Sequence, residues 1–474
     1  MEGKGEIMMA AAREILKKTA LGDVKGFDNG RCEVFLGVPY AKAGRFEYAV
    51  MTDHWDGVLD ATVMGATCPQ NRNIHEHLEN PTRRFYKKEY REGAEYAMDE
   101  DCLNLNIFAP RDAKDCPVVV FIHGGGFDSG SNQESPFDGS ALAERGIVTV
   151  FINYRVGVLG YFTHEEIQKR DGRDGNFGLD DQLTAIRFVK AHIRDFGGDP
   201  DNITLLGQSA GAISIQYLCL NPENKGMFQH AAMMSGAGLF PKFSLPRRAA
   251  DTHEYWLQFM KDAGCESFEE FQKLPVLKLF DAVEQIKTER KDSIYHTMPV
   301  IDGKLIPAPI DEMIKKPLDL DYMIGYTNND MYAPIMAFIG NRFGKDNGAY
   351  IYYFDLDAPG DGNKAFHSAD LRFMFETLEG SWRPYGKRDH EAAGELASYL
   401  ANFAWCGNPN GDGKGQDVDG KGRNGTMAKL PTWKPAKKGL FTNVLRIRKE
   451  DTKMGRVNYL KLLNNFLKIG DPKA

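Results

Sequence analysis

Short apolar runs alternate with amphipathic stretches through the middle of the sequence. Residues 118–122 and 147–152 are apolar, β-branched runs of strand length, and 202–206 and 231–234 repeat the pattern. Between 179 and 196 the apolar residues instead recur at helical spacing. Apolar strands separated by amphipathic helices indicate βαβ units around a buried parallel sheet. The pattern therefore predicts an α/β protein.

The second half of the chain continues this pattern with one interruption. Strands are predicted at 322–326 and 349–354. The stretch 246–290 is helix-like and charged, so residues 240–296 are expected to form a helical cap. This cap is expected to be an insertion within a single domain spanning residues 1–474.

Composition and charge exclude several classes of protein. The chain has 474 residues, 42% hydrophobic and 26% charged, which is typical of a globular protein. A net charge of −7 argues against nucleic-acid binding, which needs clustered positive charge. No segment approaches the ~20 consecutive apolar residues of a membrane span. No segment near the N-terminus resembles a signal peptide. We expect a cytoplasmic protein (secreted if a leader has been removed), as a monomer or small homo-oligomer.

The seven cysteines form a sparse, odd-numbered set without a CxxC pair. They do not resemble the disulfide framework of a small secreted protein, and structural zinc is disfavoured. His75 and His77 are spaced as HxH in a polar loop, which is more typical of surface residues than of a metal site. A stretch from Asn408 to Asp419 imitates an EF-hand loop but starts with Asn and lacks the terminal Glu, so we expect no calcium there.

The sequence Gly-Gln-Ser-Ala-Gly at 207–211 directly follows a predicted strand and precedes a helix-compatible stretch. A serine on such a sharp turn presents its Oγ above the edge of the sheet, and glycines two residues either side avoid collisions with neighbouring backbone. The following helix directs its N-terminus at the serine and favours developing negative charge. Ser209 is therefore the predicted nucleophile, whereas the alternative is a glycine-rich structural turn.

A second glycine-rich segment, His-Gly-Gly-Gly-Phe at 123–127, also follows a predicted strand. Glycines there let backbone N–H groups face a substrate oxygen without obstruction by Cβ atoms. We predict an oxyanion hole made by the N–H groups of Gly125, Gly126 and Ala210. The alternative is a simple flexible turn, and His123 is expected to anchor the loop.

Together these segments resemble the type-B carboxylesterase family, which includes the cholinesterases and the bacterial para-nitrobenzyl esterases. The resemblance extends over residues from about 30 to 435 and implies an α/β-hydrolase fold and a serine esterase without metal or organic cofactor. Further segments similar to family signatures are FLGVPYA at 35–41, WDG at 55–57, EDCLNLN at 100–106, NYRVG at 153–157, GNFGLDDQ at 175–182, FGGDP at 196–200 and AWCGNPN at 404–410.

The resemblance also implies roles for two cysteines and a serine. Cys68 and Cys102 match the usual N-terminal disulfide pair of the family; they are expected to be close together, and the sequence leaves open whether they are bonded. Ser235, just after a predicted strand, resembles a serine near the catalytic histidine, although a plain loop hydroxyl is nearly as good a reading.

The acid and the base are expected in the chain order serine, acid, histidine. Asp330 follows a predicted strand where the family places a Glu, and His367 lies in a segment similar to the histidine loop of the family. His390 is the rival base, but it begins an amphipathic helix, where it would be solvated. The alternative for Asp330 is an Asx-turn cap.

The expected substrates are small-molecule esters with short-to-medium or aromatic acyl groups, including hydroxycinnamoyl esters. Only 37 positions separate Asp330 from His367, fewer than is common in the family, which suggests an open pocket. The alternatives are a non-catalytic binding protein and a lipase with an apolar lid. Candidate pocket residues are Phe127, Phe162, Met331, Tyr332 and Met336, although apolar residues near a sheet more often belong to the core.

Overall fold

The chain forms a large mixed β-sheet with helices on both faces. The structure is a computed structural model and describes residues 13–71, 79–91, 94–238, 245–290, 296–330, 349–411, 430–437 and 441–458. Its strands are β1 (Arg13–Thr19), β2 (Gly22–Asp28), β3 (Glu33–Pro39), β4 (Ala41–Lys42), β5 (Val50–Met51), β6 (Val58–Asp60), β7 (Asn104–Ala109), β8 (Cys116–Ile122), β9 (Val148–Ile152), β10 (Gly198–Gln208), β11 (His230–Met234), β12 (Asp321–Thr327), β13 (Tyr350–Asp355), β14 (Phe441–Arg448) and β15 (Thr452–Asn458).

Helices connect and cover these strands. They are α1 (Pro81–Tyr90), α2 (Ser140–Ala143), α3 (Gly157–Tyr161), α4 (Glu165–Asp171), α5 (Phe177–His192), α6 (Ala210–Leu220), α7 (His253–Asp262), α8 (Phe268–Lys273), α9 (Val276–Arg290), α10 (Ile310–Met313), α11 (Leu371–Met374) and α12 (Lys387–Cys406). None of these helices is long and apolar enough to cross a membrane.

The sheet is parallel in its centre and antiparallel at both ends. Its main order is β1-β2-β3-β7-β9-β8-β10-β11-β12-β13-β14-β15, and β6 pairs with β2. The run from β9 to β14 is parallel throughout, so the carboxyl ends of these strands meet at one edge of the sheet. In sheets of this kind ligands bind at that edge.

Alternation along the central strands explains why they are apolar throughout. In β8, Val118, Val120 and Ile122 pack into one core cluster, whereas Val119 and Phe121 pack into the cluster on the opposite face. Because helices cover both faces, neither set of side chains reaches water. The α/β fold and the strands predicted from these runs are confirmed, with small shifts at their ends.

The predicted helical cap region contains α7, α8 and α9 within its described part, 245–290. Aromatic rings join these helices to the body of the protein: Phe271 stacks on Phe46 with ring centroids 5.6 Å apart, and Trp256 meets Phe162 edge-on at 5.1 Å. Phe162 is therefore part of this packing and is fully buried. That these helices cover the site stays a prediction.

Candidate active site

Ser209 occupies the sharp turn between β10 and α6. Its backbone has φ 55° and ψ −122°, a strained conformation for a residue with a side chain. The turn is held by a hydrogen bond from its N–H to the Met234 carbonyl, 2.8 Å long. A Cβ at Gly211 would lie 2.0 Å from the Ile122 carbonyl oxygen, and one at Gly207 2.7 Å from the Gly211 carbonyl. Glycine is therefore the residue that fits on both sides of the serine.

The second glycine-rich segment lies against this turn. A Cβ at Gly124 would be 2.9 Å from the Cβ of Ser209, so the two segments are in contact. Gly125 and Gly126 have φ values of 117° and 66°, which glycine adopts without strain. Within the described ranges, the N–H groups of Gly125, Gly126 and Ala210 donate no hydrogen bond to another residue. They are available to a ligand.

His123 joins the start of this segment to the residues that follow β9. Its ring stacks on Tyr154 with centroids 4.2 Å apart, and its Nδ1 donates to the Gly124 carbonyl at 2.8 Å. The Tyr154 hydroxyl in turn donates to the His123 carbonyl at 2.8 Å. This arrangement supports the predicted anchoring role of His123.

The structure brings Asp330 and His367 together. His367 Nδ1 lies 3.0 Å from Asp330 Oδ2, and the Asp330 side chain is fully buried while 26% of the His367 side chain is exposed. The two loops are joined beside this contact, where the Asn329 N–H donates to the Ala365 carbonyl at 3.0 Å. The Nδ1–H group donates this hydrogen bond to the Asp330 carboxylate, so the lone pair of the neutral ring is on Nε2.

The second ring nitrogen of His367, Nε2, faces the serine turn. This atom is 3.2 Å from the Nε2 of Gln208, the residue that precedes Ser209. The Ser209 hydroxyl itself makes no hydrogen bond to any residue that the structure describes. The imidazole therefore lies beside the residue that precedes the predicted nucleophile, and its Nε2 contacts the Gln208 amide. Catalytic hydrogen bonds often form fully only with substrate bound.

The surroundings of His367 act on its pKa in opposite directions. Burial lowers the pKa of His367, but the charge of Asp330, its hydrogen bond to the ring and the charge of Asp370 together raise it above the ordinary value. The carboxylate favours the protonated ring. An imidazolium formed by taking up a proton would thus be stabilised where it forms.

Sequence reasoning missed Asp370, a second carboxyl group near this histidine. Asp370 is fully buried, and the Tyr352 hydroxyl donates to its Oδ2 at 2.7 Å. Tyr352 reaches it across β12, where a Cβ at Gly325 would lie 1.8 Å from the phenol ring. The spacing His-x-x-Asp was the available signal, but it does not show that the carboxyl group is buried. Burial raises the pKa of Asp370 to about 6, although the Tyr352 hydrogen bond opposes the shift.

The raised pKa of Asp370 predicts a pH-dependent effect of Asp370→Asn on stability. The Asp370 carboxyl group binds a proton more tightly in the folded protein, where its pKa is about 6, than in the unfolded chain, where its pKa is near 3.8. The stability it contributes is therefore complete below pH 3.8 and is lost as the pH rises through 6. Asparagine stays neutral and can still accept from Tyr352. We expect thermal unfolding to show the variant more stable at pH 8, by up to about 3 kcal/mol, with a smaller gain at pH 5. An equal change at both values would contradict this prediction.

Ser235 lies at the same edge, directly after β11. It has φ 51°, its side chain is buried, and its N–H donates to the Gly325 carbonyl at 2.8 Å. Its hydroxyl contacts no hydrogen-bonding partner in the described part of the chain. Its assignment as a serine that assists the histidine stays a prediction.

The other predicted site residues are placed differently. Phe127 is fully buried, with its ring edge-on to Tyr161 at 5.3 Å, so core packing accounts for it, and a substrate contact stays a prediction. His390 lies in the first turn of α12, 44% exposed and 3.6 Å from Glu379, as expected for a solvated residue. Several residues singled out in the sequence lie outside the described residues: Met331, Tyr332, Met336, His75, His77 and Asp419.

The side chains of Cys68 and Cys102 are in contact and fully buried, and both are free thiols. A hydrogen bond with Cys68, followed by burial, raises the pKa of the Cys102 thiol well above its ordinary range. The sequence prediction that the two lie close together agrees with this geometry. Among the described residues, no cluster of His, Cys, Asp and Glu could hold a metal ion.

Comparison with known proteins identifies the family of this chain. A family model described as the carboxylesterase family matches residues 14–345 and 331–466. The chain belongs to this family. It is 33% identical over 326 residues to a para-nitrobenzyl esterase of Bacillus subtilis (strain 168), in a match that covers 66% of this chain and 62% of that protein.

Two further similarities extend the comparison. The chain is 33% identical over 319 residues to a bile salt-activated lipase of Mus musculus, covering 63% of this chain and 49% of the lipase. Relative to these two curated proteins, the matched region thus spans about half to three fifths of their length. A solved structure of a PNB esterase has a TM-score of 0.77 at 25% identity, covering 96% of this chain and 99% of the other. The predicted family and α/β-hydrolase fold are confirmed.

Proposed function

We propose that this protein is a carboxylesterase that hydrolyses small-molecule esters through an acyl-enzyme on Ser209. The observation that carries the proposal is the contact between His367 Nδ1 and Asp330 Oδ2, 3.0 Å long, beside the strained serine turn. A serine hydroxyl is a weak nucleophile until a base takes its proton, and an oriented imidazole supplies that base.

In the first half of the reaction, His367 Nε2 takes the proton of Ser209 as its Oγ attacks the ester carbonyl carbon. For this step the serine hydroxyl replaces the Gln208 amide at Nε2. The charge on the carbonyl oxygen is received by the N–H groups of Gly125, Gly126 and Ala210, which have no competing acceptor in the described structure. His367 then protonates the departing alkoxide, so the alcohol leaves.

In the second half, water attacks the acyl-enzyme, and His367 accepts its proton and returns it to Ser209. Asp330 keeps its negative charge through both halves and stabilises the imidazolium each time it forms. The acid product leaves with the oxygen atom of water. None of these steps calls on a metal ion or an organic cofactor.

The proposed substrates are esters with short-to-medium or aromatic acyl groups. The names of two relatives, a para-nitrobenzyl esterase and a bile salt-activated lipase, support ester substrates but differ in size and polarity. The short interval of 37 positions between Asp330 and His367 favours a pocket open enough for bulky groups.

A panel of esters tests this proposal. We compare the rates of hydrolysis of 4-nitrophenyl acetate, butyrate and octanoate, a hydroxycinnamoyl ester and a short triglyceride. The triglyceride is assayed both below and above its solubility limit. We expect turnover of the nitrophenyl and aromatic esters without a jump in rate at the triglyceride interface. Strict preference for acetyl would contradict the open pocket, and a sharp interfacial jump would favour the lipase alternative.

A fluorophosphonate probe tests the nucleophile independently of substrate choice. The phosphorus atom forms a bond to an activated serine oxygen and releases fluoride, so the adduct stays on the enzyme. We expect the added mass on the peptide that contains Ser209. An adduct confined to another serine would contradict the assignment.

A further inference from the structure

The residue that follows His367 has an unfavourable backbone conformation. Ser368 has φ 73°, in the left-handed region that side chains rarely adopt, and it is buried. Such a conformation persists only where surrounding contacts hold it. Because Ser368 is joined directly to His367, whatever holds Ser368 also fixes the backbone from which the imidazole projects.

Two hydroxyl groups hold Ser368 in place. The Ser368 Oγ donates to the His367 carbonyl, and the same oxygen contacts the hydroxyl of Tyr90. Since the serine proton is engaged with the carbonyl, the Tyr90 hydroxyl is the donor in the second contact. The result is a relay from Tyr90 through Ser368 to the His367 carbonyl, in which each hydrogen bond strengthens the next.

Tyr90 is the last residue of α1, which packs against the histidine loop on both sides of His367. The Tyr90 side chain is buried, and its carbonyl accepts from the Ser135 N–H at 2.9 Å. One turn and a half earlier, the Phe85 ring meets the Phe366 ring edge-on at 5.0 Å. The helix therefore contacts the residue before and the residue after the predicted base.

A buried carboxylate fixes α1 in this position. Glu89 accepts from Arg383 Nε at 3.0 Å and from Trp382 Nε1 at 3.1 Å, and its carbonyl accepts from Arg372 Nη2 at 2.8 Å. Arg372 and Arg383 both follow the histidine loop in the chain. Charge-assisted hydrogen bonds of this kind, sheltered from water, hold the helix more firmly than surface ion pairs would.

We propose that α1 holds the His367 loop in its working geometry, and that Tyr90 and Ser368 are positioning residues for the base. The proposal rests on the proposed function, because it assigns a purpose to the placement of His367. Neither hydroxyl touches the reacting atoms. Their effect arises because a displacement of a reacting group by about 1 Å can cost a hundredfold in rate.

Three variants test this proposal with 4-nitrophenyl butyrate: Tyr90→Phe, Ser368→Ala and the double variant. We expect kcat to fall about 10- to 100-fold in each single variant, with KM changed by less than about twofold. The double variant is expected to have about the same kcat as the less active single variant, because both changes break the same relay. Ser368→Gly is expected to lose less than Ser368→Ala, since glycine adopts φ 73° without strain.

The pH profile separates positioning from a general structural role. Loosening the His367 loop weakens its contact with Asp330, so the pKa of His367 falls and the acid limb of kcat/KM moves to lower pH. Tyr399→Phe is the matched control, because it also removes a buried tyrosine hydroxyl, which donates to the Pro431 carbonyl at 2.6 Å. For Tyr399→Phe we expect kcat within about twofold of the unmodified enzyme. We expect its acid limb to stay within about 0.2 pH units.

Three outcomes overturn the role of α1. The first is that Tyr90→Phe keeps kcat within twofold of the unmodified enzyme and leaves the acid limb unmoved. The second is that Tyr399→Phe loses as much kcat as Tyr90→Phe. The third is that Ser368→Gly is less active than Ser368→Ala. Ser209→Ala is assayed alongside these variants. If it is inactive, the proposed function is supported even when the Tyr90→Phe result contradicts the role of α1.

Discussion

Replacing Ser209 by alanine is expected to abolish ester turnover, with kcat falling about 10⁴-fold or more. Alanine keeps the turn almost unchanged in volume but removes the oxygen that would form the acyl-enzyme. The strained φ of 55° applies to alanine as it does to serine, so the fold of the turn is expected to survive. The measurement is steady-state hydrolysis of a nitrophenyl ester, together with loss of the rapid first release of nitrophenol that an acyl-enzyme produces.

Ser214→Ala is the matched control for this prediction. Ser214 lies on α6, is fully buried, and has no hydrogen-bonding partner for its hydroxyl in the described part of the chain. Its variant should keep kcat within about threefold. Undiminished turnover in Ser209→Ala would show that the nucleophile is elsewhere.

His367→Ala is expected to cause a loss of similar size, because without the imidazole neither the serine nor the water can lose its proton. The double variant Ser209→Ala/His367→Ala should be no slower than either single variant, since residues that act as a unit are not additive. The assay is kcat for a nitrophenyl ester, measured at the same pH for the unmodified enzyme and each variant.

His390→Ala tests the rival base directly. His390 is exposed in the first turn of α12, and its variant should keep kcat within twofold. If His390→Ala lost activity while His367→Ala kept it, the pairing of Asp330 with His367 would be a structural contact, and the proposed mechanism would be wrong.

Local sequence was sufficient to predict the serine turn and the glycine loop. The glycine at 207 is explained by the backbone of the same turn, whereas the glycine at 211 is explained by Ile122, at the end of β8 and distant in sequence. The family resemblance likewise rested on short segments that keep their order along the chain. The motifs themselves occupy a few consecutive residues, and so they can be recognised without the fold.

The contact between Asp330 and His367 could be suggested from sequence order but not established by it. The two residues follow β12 and β13, which are parallel neighbours, so both loops start at the same edge of the sheet. That adjacency is a property of strand order. Asp370 shows the limit more clearly, because its hydrogen-bond donor Tyr352 lies on β13 and the Tyr352 ring packs over Gly325 of β12.

By itself the sequence determined the α/β class, the family and the two glycine-rich turns, because periodicity and short motifs extend over a few residues. Tertiary structure alone decided which groups other than Asp330 surround the imidazole. Tyr90 and Ser368, which meet through their hydroxyls, are 278 positions apart, and no local pattern records a contact over that distance. Such pairs are brought together by packing of the whole core, and the conformations of the side chains follow from that packing.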